Sequence, residues 1–503
     1  MTRMFFTRGM SGIAPVVSSS ASSPVLAAPA SIDPLLVAVI GAGYVGLTTA
    51  AAFALAGHRV IVVENNPEKL EMLRDGRAPF FEPGLDQALK RCAARLEFTS
   101  NAARAVREAA VTVIAVGTLL TDAGIADLSQ LHAVVNTIAP ALERSGFRTL
   151  VIKSTVPVGT TRTLEQHLRE RTIHADFAIA CNPEFLRQGQ ALRDAVRPDR
   201  IVIGTQDEQA LEMLRRLYRP LLEGRVNLPE ESLEIQSELK PIPFLELSIE
   251  SAELAKYAAN AFLAMKISYA NEIANVCDAL GANIDQVLEV LATDPRIGSS
   301  FLRPGLGYGG SCFPKDTQAL SSFSLHGGYD FRLLKAVIEV NAAQRLHLLD
   351  RLEAMLGGFD GSHIAVLGLS FKPGTDDVRE SIGLELAHEL QARGARVRVH
   401  DPLVKSVSGF EVAASLEMAC LNADAVLIVT EWPEYIHADW AKLAHTMRTR
   451  IVLDGRNALE PERMTLAGFV YLGVGRGTQG LDAEVFRLEG QMLELGVSLE
   501  TSI

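Results

Sequence analysis

The chain has few of the residues that would mark a metal-stabilised or disulfide-bonded protein. Its 503 residues include only five cysteines, and none of them form a CxxC pair: Cys92, Cys181, Cys277, Cys312 and Cys420. An odd number of scattered cysteines argues against both a disulfide framework and a structural zinc site. We therefore expect free thiols, no metal site, and a reducing compartment such as the cytoplasm.

The sequence also lacks an excess of positive charge. It carries 48 Lys and Arg residues against 60 Asp and Glu, a formal net charge of −12. This balance argues against bulk binding to nucleic acid or an acidic membrane, although a few placed cationic side chains could still hold a phosphorylated ligand. Because no run of about 18 uncharged apolar residues occurs, we predict no membrane span.

Acidic residues are missing from the beginning of the chain. The residues before Asp33 include Arg3, Arg8 and many serines and alanines, but no carboxylate. This composition overlaps with that of a transit peptide. A disordered leader over residues 1–34 is the preferred prediction.

The rest of the chain has a globular composition, with 48% hydrophobic residues, and is too long for one ordinary core. Apolar runs typical of buried strands alternate with helical patterns such as 47–56. They predict strands at 36–40, 59–63, 111–116, 149–152, 177–180 and 201–203. The alternation returns with strands at 363–367, 396–400, 425–429 and 451–453, and a helix at 382–393. It predicts an α/β protein with two Rossmann-like, doubly wound domains.

A stretch without glycine or proline separates the two halves. Residues 244–280 would form a helix about 55 Å long at ~1.5 Å per residue, if helical throughout. We expect this long central helix to join the two domains. Its apolar residues recur on more than one face, which suggests a surface for self-association.

The first predicted strand is followed by a glycine-rich turn, Gly41-x-Gly43-x-x-Gly46, and then by a helix. The first glycine allows the tight turn, the second admits a pyrophosphate, and the third allows close packing. Glu64 ends the next predicted strand, where a carboxylate accepts from ribose hydroxyls and repels a 2′-phosphate. The pattern predicts an NAD site.

The late half lacks this fingerprint. Its corresponding turn, Gly368-Leu369-Ser370-Phe371-Lys372-Pro373, has one glycine and a lysine. A lysine above a sheet suits one end of a nucleotide phosphate better than a dinucleotide.

The segment 301–316 contains the most informative cysteine. Glycine and proline are frequent before Cys312, so we expect the backbone to approach a ligand closely. Pro314 suits the first turn of a helix, which would place Cys312 at its N-terminus with Lys315 and Asp316 one turn on. Both the helix end and the lysine would lower the pKa of the thiol and favour a nucleophilic thiolate.

With these residues the chain resembles the UDP-glucose/GDP-mannose dehydrogenase family from about residue 37 to about residue 477. The matching motifs occur in family order. They are GAGYVG at 41–46, KSTVPVG at 153–159, NPEFLR at 182–187, ELAKYAAN at 253–260, the cysteine loop, FKPGTDDVRES at 371–381 and DGRN at 454–457.

The resemblance implies a four-electron oxidation of a nucleotide sugar that uses two NAD. An alcohol becomes an aldehyde, Cys312 captures it as a thiohemiacetal, and a thioester forms and is hydrolysed. The loop at 307–310 and the NPEFLR motif are more similar to the UDP-glucose branch, so we expect UDP-glucose to give UDP-glucuronate. GDP-mannose or a UDP-N-acetyl hexosamine is the alternative substrate. A two-electron dehydrogenase of the β-hydroxyacid type is the alternative reaction, and a scaffold without turnover is a third reading.

The resemblance also implies roles for individual residues. Those expected to act in catalysis are Cys312, Lys256, Asn260, Asp316, Thr155 and Glu184. Those expected to contact the cofactor are Gly41, Gly43, Val45, Gly46, Glu64, Lys69, Thr118, Thr155, Gln188, Lys315 and Arg379. Those expected to contact the substrate are Glu184, Lys256, Asn260, Arg296, Phe301, Leu302, Arg303, Gly305, Gly309 and Lys372. Arg296 matches the arginine that reaches the nucleotide of a neighbouring subunit, which implies a homodimer.

The implied domains follow the motifs. We expect an NAD-binding Rossmann domain at 35–243, a central helical segment for dimerisation and catalysis at 244–345, a nucleotide-sugar-binding Rossmann-like domain at 346–480, and a tail at 481–503. Two positions depart from the family pattern: Gln188 replaces a usual glutamate, and Leu119 replaces a usual proline. Gln188 keeps hydrogen bonds but loses charge and basicity, which puts the hydrolysis rate in doubt.

Overall fold

The computed structural model describes residues 33–119, 121, 124–143, 145–226 and 241–479. The predicted tail and nearly all of the predicted leader lie outside these residues. None of the described helices has the length and apolar character needed to cross a bilayer.

The first domain is an eight-stranded sheet with helices on both faces. Its strand order is β3-β2-β1-β4-β5-β6-β7-β8, and every pairing is parallel except β6 with β7. The strands are β1 Leu36–Ile40, β2 Arg59–Val63, β3 Leu96–Thr99, β4 Val111–Ile114, β5 Arg148–Ile152, β6 Phe177–Cys181, β7 Ile201–Gly204 and β8 Phe244–Leu247. The helices are α1 Tyr44–Leu55, α2 Pro67–Arg74, α3 Leu85–Arg91, α4 Ala102–Glu108, α5 Ser129–Leu142, α6 Thr160–Arg171, α7 Ala191–Val196 and α8 Glu208–Leu222.

Long helices form the centre of the molecule. They are α9 Ile249–Leu280, α10 Ile284–Thr293, α11 Phe313–His326 and α12 Arg332–Leu356. The prediction of one helix from 244 was wrong at its start, because residues 244–247 form β8 and pair with β7. Ser248 then caps α9 by accepting from the amide of Ser251, and Gly281 ends it with a φ of 70°. The 32 residues of α9 span about 48 Å at 1.5 Å per residue.

The second domain is a six-stranded sheet of the same kind, with the order β10-β9-β11-β12-β13-β14. Its strands are β9 His363–Leu367, β10 Arg396–His400, β11 Ala425–Ile428, β12 Ile451–Asp454, β13 Val470–Gly473 and β14 Thr478–Gln479, and only β14 runs antiparallel to its neighbour. Its helices are α13 Ile382–Ala392, α14 Leu416–Cys420, α15 Pro433–Ile436, α16 Trp440–Ala444 and α17 Pro461–Leu466. The predicted fold class, two Rossmann-like domains joined by a long helix, is confirmed.

Each sheet is buried on both faces, which explains the continuous Val, Ile and Leu runs of its strands. In the first domain, Val37 and Val39 of β1 belong to one apolar cluster and Ala38 and Ile40 to the other. The second domain has the same two-sided core. The strands therefore serve as rigid supports, and the loops at their ends carry the polar residues described next.

Candidate active site

The turn between β1 and α1 has the geometry of a dinucleotide site. Gly41 has a φ of 101°, and a Cβ on Gly46 would lie 1.9 Å from the carbonyl oxygen of Gly41. A Cβ on Gly43 would meet no atom within 4 Å. Gly43 therefore borders open space at the start of α1, whose first amides, including that of Val45, receive no side-chain cap. This cradle fits a pyrophosphate at a helix N-terminus.

Glu64 stands beside this turn at the end of β2. Its carboxylate accepts from the amide of Asn66 at 2.8 Å and from that of Ala42 at 3.3 Å. These bonds fix a carboxylate next to the pyrophosphate cradle, where ribose hydroxyls can donate to it. Lys69 is exposed on the first turn of α2.

Two threonines line the neighbouring loops. The hydroxyl of Thr118, after β4, donates to the backbone carbonyl of Thr155, after β5, at 2.8 Å. The bond ties together the two loops that follow adjacent central strands. Brought together in this way, both threonines lie at the carboxyl edge of the sheet, where open α/β folds bind their ligands.

A cluster of charged residues lies between α9, α11 and the loop after β6. Lys256 and Asn260 share one face of α9. The Nζ of Lys256 is 3.0 Å from Oε1 of Glu184, and both side chains are buried. The Nδ2 of Asn260 donates to Oδ2 of Asp316 at 2.6 Å, and Lys315 donates to its Oδ1, also at 2.6 Å. Direct contacts therefore place five of the expected site residues in two groups, Lys256 with Glu184, and Asp316 with Asn260 and Lys315.

The ion pair sets the charge states of its members. Burial alone would raise the pKa of the Glu184 carboxyl, but the ammonium groups of Lys256 and Lys153 and the amide of Leu186 outweigh it, so the pKa is lowered. Burial opposes the charge of Lys256 as well, yet Glu184, Cys312 and Asp316 hold its pKa above the usual value. Glu184 is therefore ionised and Lys256 protonated at neutral pH.

Cys312 is the N-cap of α11, as predicted, and its thiol is accessible while the other four cysteines are buried. The expectation of a lowered pKa was wrong. Desolvation by the surrounding protein raises the pKa of the Cys312 thiol, and the carboxylates of Glu184 and Asp316 add to this, against the ammonium of Lys256. Lys315 does not reverse the balance, because it pairs with Asp316.

The glycines of the cysteine loop pack closely against neighbouring protein atoms. A Cβ would lie 2.8 Å from the carbonyl oxygen of Gly455 at Gly305, 2.4 Å from that of Glu380 at Gly309, and 2.6 Å from the ring of Phe371 at Gly310. The glycines therefore let the loop pass close to the second domain.

Buried amides anchor the same loop to the central helices. Asn271 of α9 accepts from the amide of Gly305 at 2.7 Å. Asn341 of α12 both accepts from the amide of Tyr308 at 2.8 Å and donates to its carbonyl. These bonds, together with the glycine contacts, fix the position of Cys312 relative to Lys256.

The expected substrate residues are less closely gathered. Phe301 and Arg303 are exposed, with a φ of 60° at Phe301, whereas Leu302 is buried and offers only its backbone. Lys372 is half-buried, and burial lowers its pKa. Arg296 is 87% exposed and pairs with Asp294, so the structure does not bring it to the other site residues.

Gln188 and Arg379 meet at the contact between the two domains. The Nε2 of Gln188 donates to Oδ2 of Asp377 at 2.9 Å, and Arg379 pairs with the same carboxylate. In this structure both side chains are engaged with Asp377. A nearby contact links the two domains through Tyr44 of α1, whose hydroxyl donates to Asp376 at 3.4 Å.

Sequence reasoning missed several residues of the site. Glu253 of α9 accepts from the amides of Gly159 and Thr161 at 2.6 and 2.8 Å, and so ties the Thr155 loop to the helix that carries Lys256. Its position three residues before Lys256 was the available signal. Lys153 is buried beside Glu184 and was quoted only as part of a motif.

A second feature that sequence reasoning missed explains why the turn after β9 in the second domain differs from the turn after β1. A Cβ on Gly383 would lie 2.2 Å from the carbonyl oxygen of Gly368, which repeats the Gly46–Gly41 contact. The amides of Leu369 and Ser370 donate to the buried carboxylate of Asp401. Because Asp401 takes donors that a phosphate would need, this turn is not a second dinucleotide cradle.

Comparison with known proteins identifies the same three parts. Three domain profiles of the UDP-glucose/GDP-mannose dehydrogenase family match the chain: the NAD-binding domain at residues 35–222, the central domain at 250–343 and the UDP-binding domain at 365–461. The pyrophosphate cradle and Glu64 therefore lie in the NAD-binding domain, and the protein uses NAD.

The chain is 42% identical to UDP-glucose 6-dehydrogenase of Pseudomonas aeruginosa, over 88% of this chain and 98% of the relative. The structure of a UDP-glucose dehydrogenase from Pyrobaculum islandicum superimposes with a TM-score of 0.80 at 39% identity, covering 89% of this chain and 99% of that one. A UDP-D-ManNAc dehydrogenase from Pyrococcus horikoshii gives 0.77 at 29% identity, covering 88% and 99%. The chain belongs to the UDP-glucose/GDP-mannose dehydrogenase family.

Proposed function

We propose that this chain oxidises the terminal alcohol of UDP-glucose to a carboxylate, yielding UDP-glucuronate, with Cys312 as the nucleophile. One observation carries the proposal: an accessible thiol at the start of α11 beside the buried pair Lys256–Glu184 and the bonded pair Asn260–Asp316. A single alcohol oxidation needs no thiol, whereas taking an aldehyde to an acid is eased by a covalent adduct. The similarity to UDP-glucose dehydrogenases supports the choice of sugar.

NAD, when bound, accepts the electron pair in each of the two oxidations. In the first, the ammonium of Lys256 and the amide of Asn260 stabilise negative charge on the substrate oxygen. Asp316 and Thr155 hold a water that takes the proton of the alcohol. The i, i+4 spacing of Lys256 and Asn260 on α9 supports their shared role at the substrate oxygen, because both residues lie on one side of the helix.

The Cys312 thiol then loses its proton and its sulfur attacks the aldehyde carbon, while the carbonyl oxygen takes up a proton, which gives a thiohemiacetal. The second oxidation removes a hydride from the adduct carbon and the proton of its hydroxyl, which goes to the water held by Asp316 and Thr155, and leaves a thioester. Glu184, ionised because of Lys256, takes a proton from water as the water attacks the thioester carbon. The C–S bond breaks, the sulfur leaves as the thiolate, and it takes up the proton that the new carboxylic acid releases.

The proposal extends to the choice of cofactor, the residues that contact the ligands, and the cellular compartment. Glu64 favours NAD over NADP, because its carboxylate would repel a 2′-phosphate. Lys69, Thr118, Lys315 and Arg379 remain proposed cofactor contacts, and residues 301–305, Gly309 and Lys372 proposed substrate contacts. A mechanism that depends on a reduced thiol places the enzyme in a reducing compartment, such as the cytoplasm.

A panel of nucleotide sugars tests the proposal. With UDP-glucose as the limiting reagent, we expect two NADH per substrate molecule and one carboxylate product. One NADH per molecule would favour the β-hydroxyacid type of dehydrogenase. Faster turnover of GDP-mannose or of a UDP-N-acetyl hexosamine would move the chain to another branch of the family.

Replacing the thiol separates catalysis from binding. Cys312→Ser should lose net acid formation by at least about a hundredfold, because serine is a poor nucleophile at neutral pH. The matched control is Cys277→Ala, a buried cysteine of α9, which should leave the rate near that of the parent. Unchanged acid formation in Cys312→Ser would rule out the thioester step and support a different chemistry.

We also propose a homodimer through α9. Exposed apolar side chains recur at seven-residue spacing, with Phe262 58%, Tyr269 50% and Val276 49% exposed. Such a stripe is typical of a helix-mediated interface. Arg296, exposed near the end of α10, is proposed to reach the nucleotide bound by the other subunit.

Light scattering tests this proposal. The parent protein should have the mass of a dimer, and Phe262→Glu should have the mass of a monomer. A monomeric parent protein would contradict the proposal.

A further inference from the structure

A cavity of about 50 Å³ lies behind Glu184, and its lining residues do not include the cysteine loop. Its lining comes entirely from the first Rossmann domain and includes the buried side chains of Lys153, Glu184 and Thr49 and the exposed Asp199. At about 15 Å³ for each water, it has room for roughly three. The cavity therefore leads from the buried carboxylate toward the surface.

Lys153 occupies the inner end of this cavity. Its Nζ donates to Oδ1 of Asn182 at 3.0 Å, and the hydroxyl of Tyr218 donates to the same oxygen. The amide of Asn182 is in turn held by the carbonyl of Val202 at 2.8 Å. The amine is thus fixed in place by a buried network that contains no part of the substrate site.

The surroundings of Lys153 also set its protonation. Burial lowers the pKa of its amine to about 8, and the nearby ammonium of Lys256 lowers it as well. The carboxylate of Glu184 and the thiol of Cys181 act in the opposite direction but do not outweigh burial. An amine with this pKa both accepts and releases a proton near neutrality, which an ordinary lysine does not.

Thr49 gives an independent sign that the cavity is hydrated. Its hydroxyl is buried, and among the described residues it has no hydrogen-bond partner, although the residue lines the cavity. A buried hydroxyl is costly unless it is bonded, and water in the cavity would supply that bond.

The chemistry requires such a route, if the proposed function holds. Hydrolysis of the thioester consumes one water and yields the carboxylate, the Cys312 thiol and one proton. The proton first goes from the attacking water to Glu184. The cavity offers this proton a way to solvent that passes none of the proposed substrate or cofactor residues except Glu184.

We propose that the cavity behind Glu184 is the exit path for this proton, with Lys153 as the positioning residue at its inner end. The ammonium of Lys153 gives a proton to cavity water, which passes it to bulk solvent near Asp199. The amine left behind then takes the proton of the Glu184 carboxyl through cavity water and becomes an ammonium again. Glu184 is then ionised for the next turnover.

Pre-steady-state kinetics on Lys153→Met and Lys153→Arg test the route. Both oxidations precede hydrolysis, so each variant should still release a burst of two NADH per active site. The burst also shows that the variant is folded. The steady rate that follows should fall at least about tenfold in both, because methionine carries no proton and arginine does not release one.

Three results would overturn the inference. The first is a normal steady rate in Lys153→Met. The second is a normal steady rate in Lys153→Arg, which would mean that a fixed positive charge is sufficient. The third is loss of the burst in both variants. Absence of NADH formation by the parent protein with every nucleotide sugar would instead refute the proposed function. The two failures are therefore distinguishable.

A matched pair of threonines isolates the cavity. Thr49→Val removes the hydroxyl that faces the cavity, and Thr112→Val removes an equally unpartnered buried hydroxyl from β4, outside the cavity. We expect the steady rate to fall in Thr49→Val, with the burst kept, and to stay unchanged in Thr112→Val. Equal rates in the two variants would contradict a hydrated route past Thr49.

Discussion

The thiol of Cys312 lies among groups of both charges, and their balance controls its reactivity. Enclosure in the cleft and the carboxylates of Glu184 and Asp316 disfavour the thiolate, while Lys256 favours it. The first group dominates, and the pKa is raised. The Cys312 thiol is therefore mostly protonated at neutral pH.

This balance predicts how the free protein reacts with iodoacetamide. Because the thiolate is the reactive form, alkylation of Cys312 should be slow at pH 7 and should still rise with pH above the usual thiol pKa of about 8.5. Lys256→Met should slow alkylation further at each pH, because it removes the charge that favours the thiolate. Mass spectrometry of the modified peptide provides the measurement.

The control for this experiment is Lys335→Met, an exposed lysine of α12 that pairs with Asp330. Its alkylation profile should match that of the parent. A rate that reaches a plateau near pH 7 in the parent protein would contradict the raised pKa.

Residue types with a local signal were predictable, and those fixed by distant partners were not. The spacing of Gly41, Gly43 and Gly46 predicted the turn, since each glycine serves a backbone need close in sequence. The pKa of Cys312 was predicted with the wrong sign, because burial by residues distant in sequence raises it and the carboxylate of Glu184, which follows β6, adds to this. Lys256 and Glu184 were each expected at the site from family resemblance alone, and the ion pair between them was not predicted.

The turn between β1 and α1 separates two uses of glycine within one element. At Gly46 a Cβ would collide with the carbonyl oxygen of Gly41, so this glycine serves packing. At Gly43 a Cβ would meet open space, so packing does not explain this glycine. The motif is therefore expected to contain one position that matters for stability and one that matters for cofactor binding.

Alanine substitutions should separate these two uses. Gly43→Ala should leave the melting temperature near that of the parent but weaken NAD binding at least about tenfold, because the methyl group takes space needed by the pyrophosphate. Gly46→Ala should lower the free energy of unfolding by at least about 1–3 kcal/mol, the usual cost of overpacking a core, because the backbone must move to make room for the methyl group. Calorimetry of NAD binding and thermal unfolding measure both, and equal melting temperatures would contradict the assignment.

The central helix shows how far an element can be predicted from what its sequence lacks. The absence of Gly and Pro from 244 to 280 correctly indicated a long helix, but that absence does not distinguish a helix from a strand. Residues 244–247 became β8 because the edge of β7 offers backbone partners. Ser248, a good N-cap, was the local signal for the true start.

At the scale of the whole molecule, a few contacts hold the two domains over the active site. Gln188 donates to Asp377, and Tyr44 to Asp376. Gly189 also lies close to the backbone of Gly374, since a Cβ on it would be 3.1 Å from that carbonyl oxygen. No local pattern links positions so far apart in sequence, so this contact was beyond prediction from the sequence. Gln188 was instead expected to contact the cofactor.

The contact predicts the effect of restoring a glutamate at this position. Gln188→Glu would place a second carboxylate against Asp377, whose pKa is lowered because Arg379 and Gln188 outweigh its burial. The hydrogen bond would be replaced by repulsion, at a cost of about 1–2 kcal/mol in the free energy of unfolding.

The control is Gln188→Ala, which loses the hydrogen bond without adding charge and should lower the free energy of unfolding by less. Salt distinguishes the two, because screening should recover part of the loss in Gln188→Glu but none in Gln188→Ala. A glutamate variant as stable as the parent at low salt would show that Arg379 neutralises both carboxylates and that Gln188 does not hold the domains together.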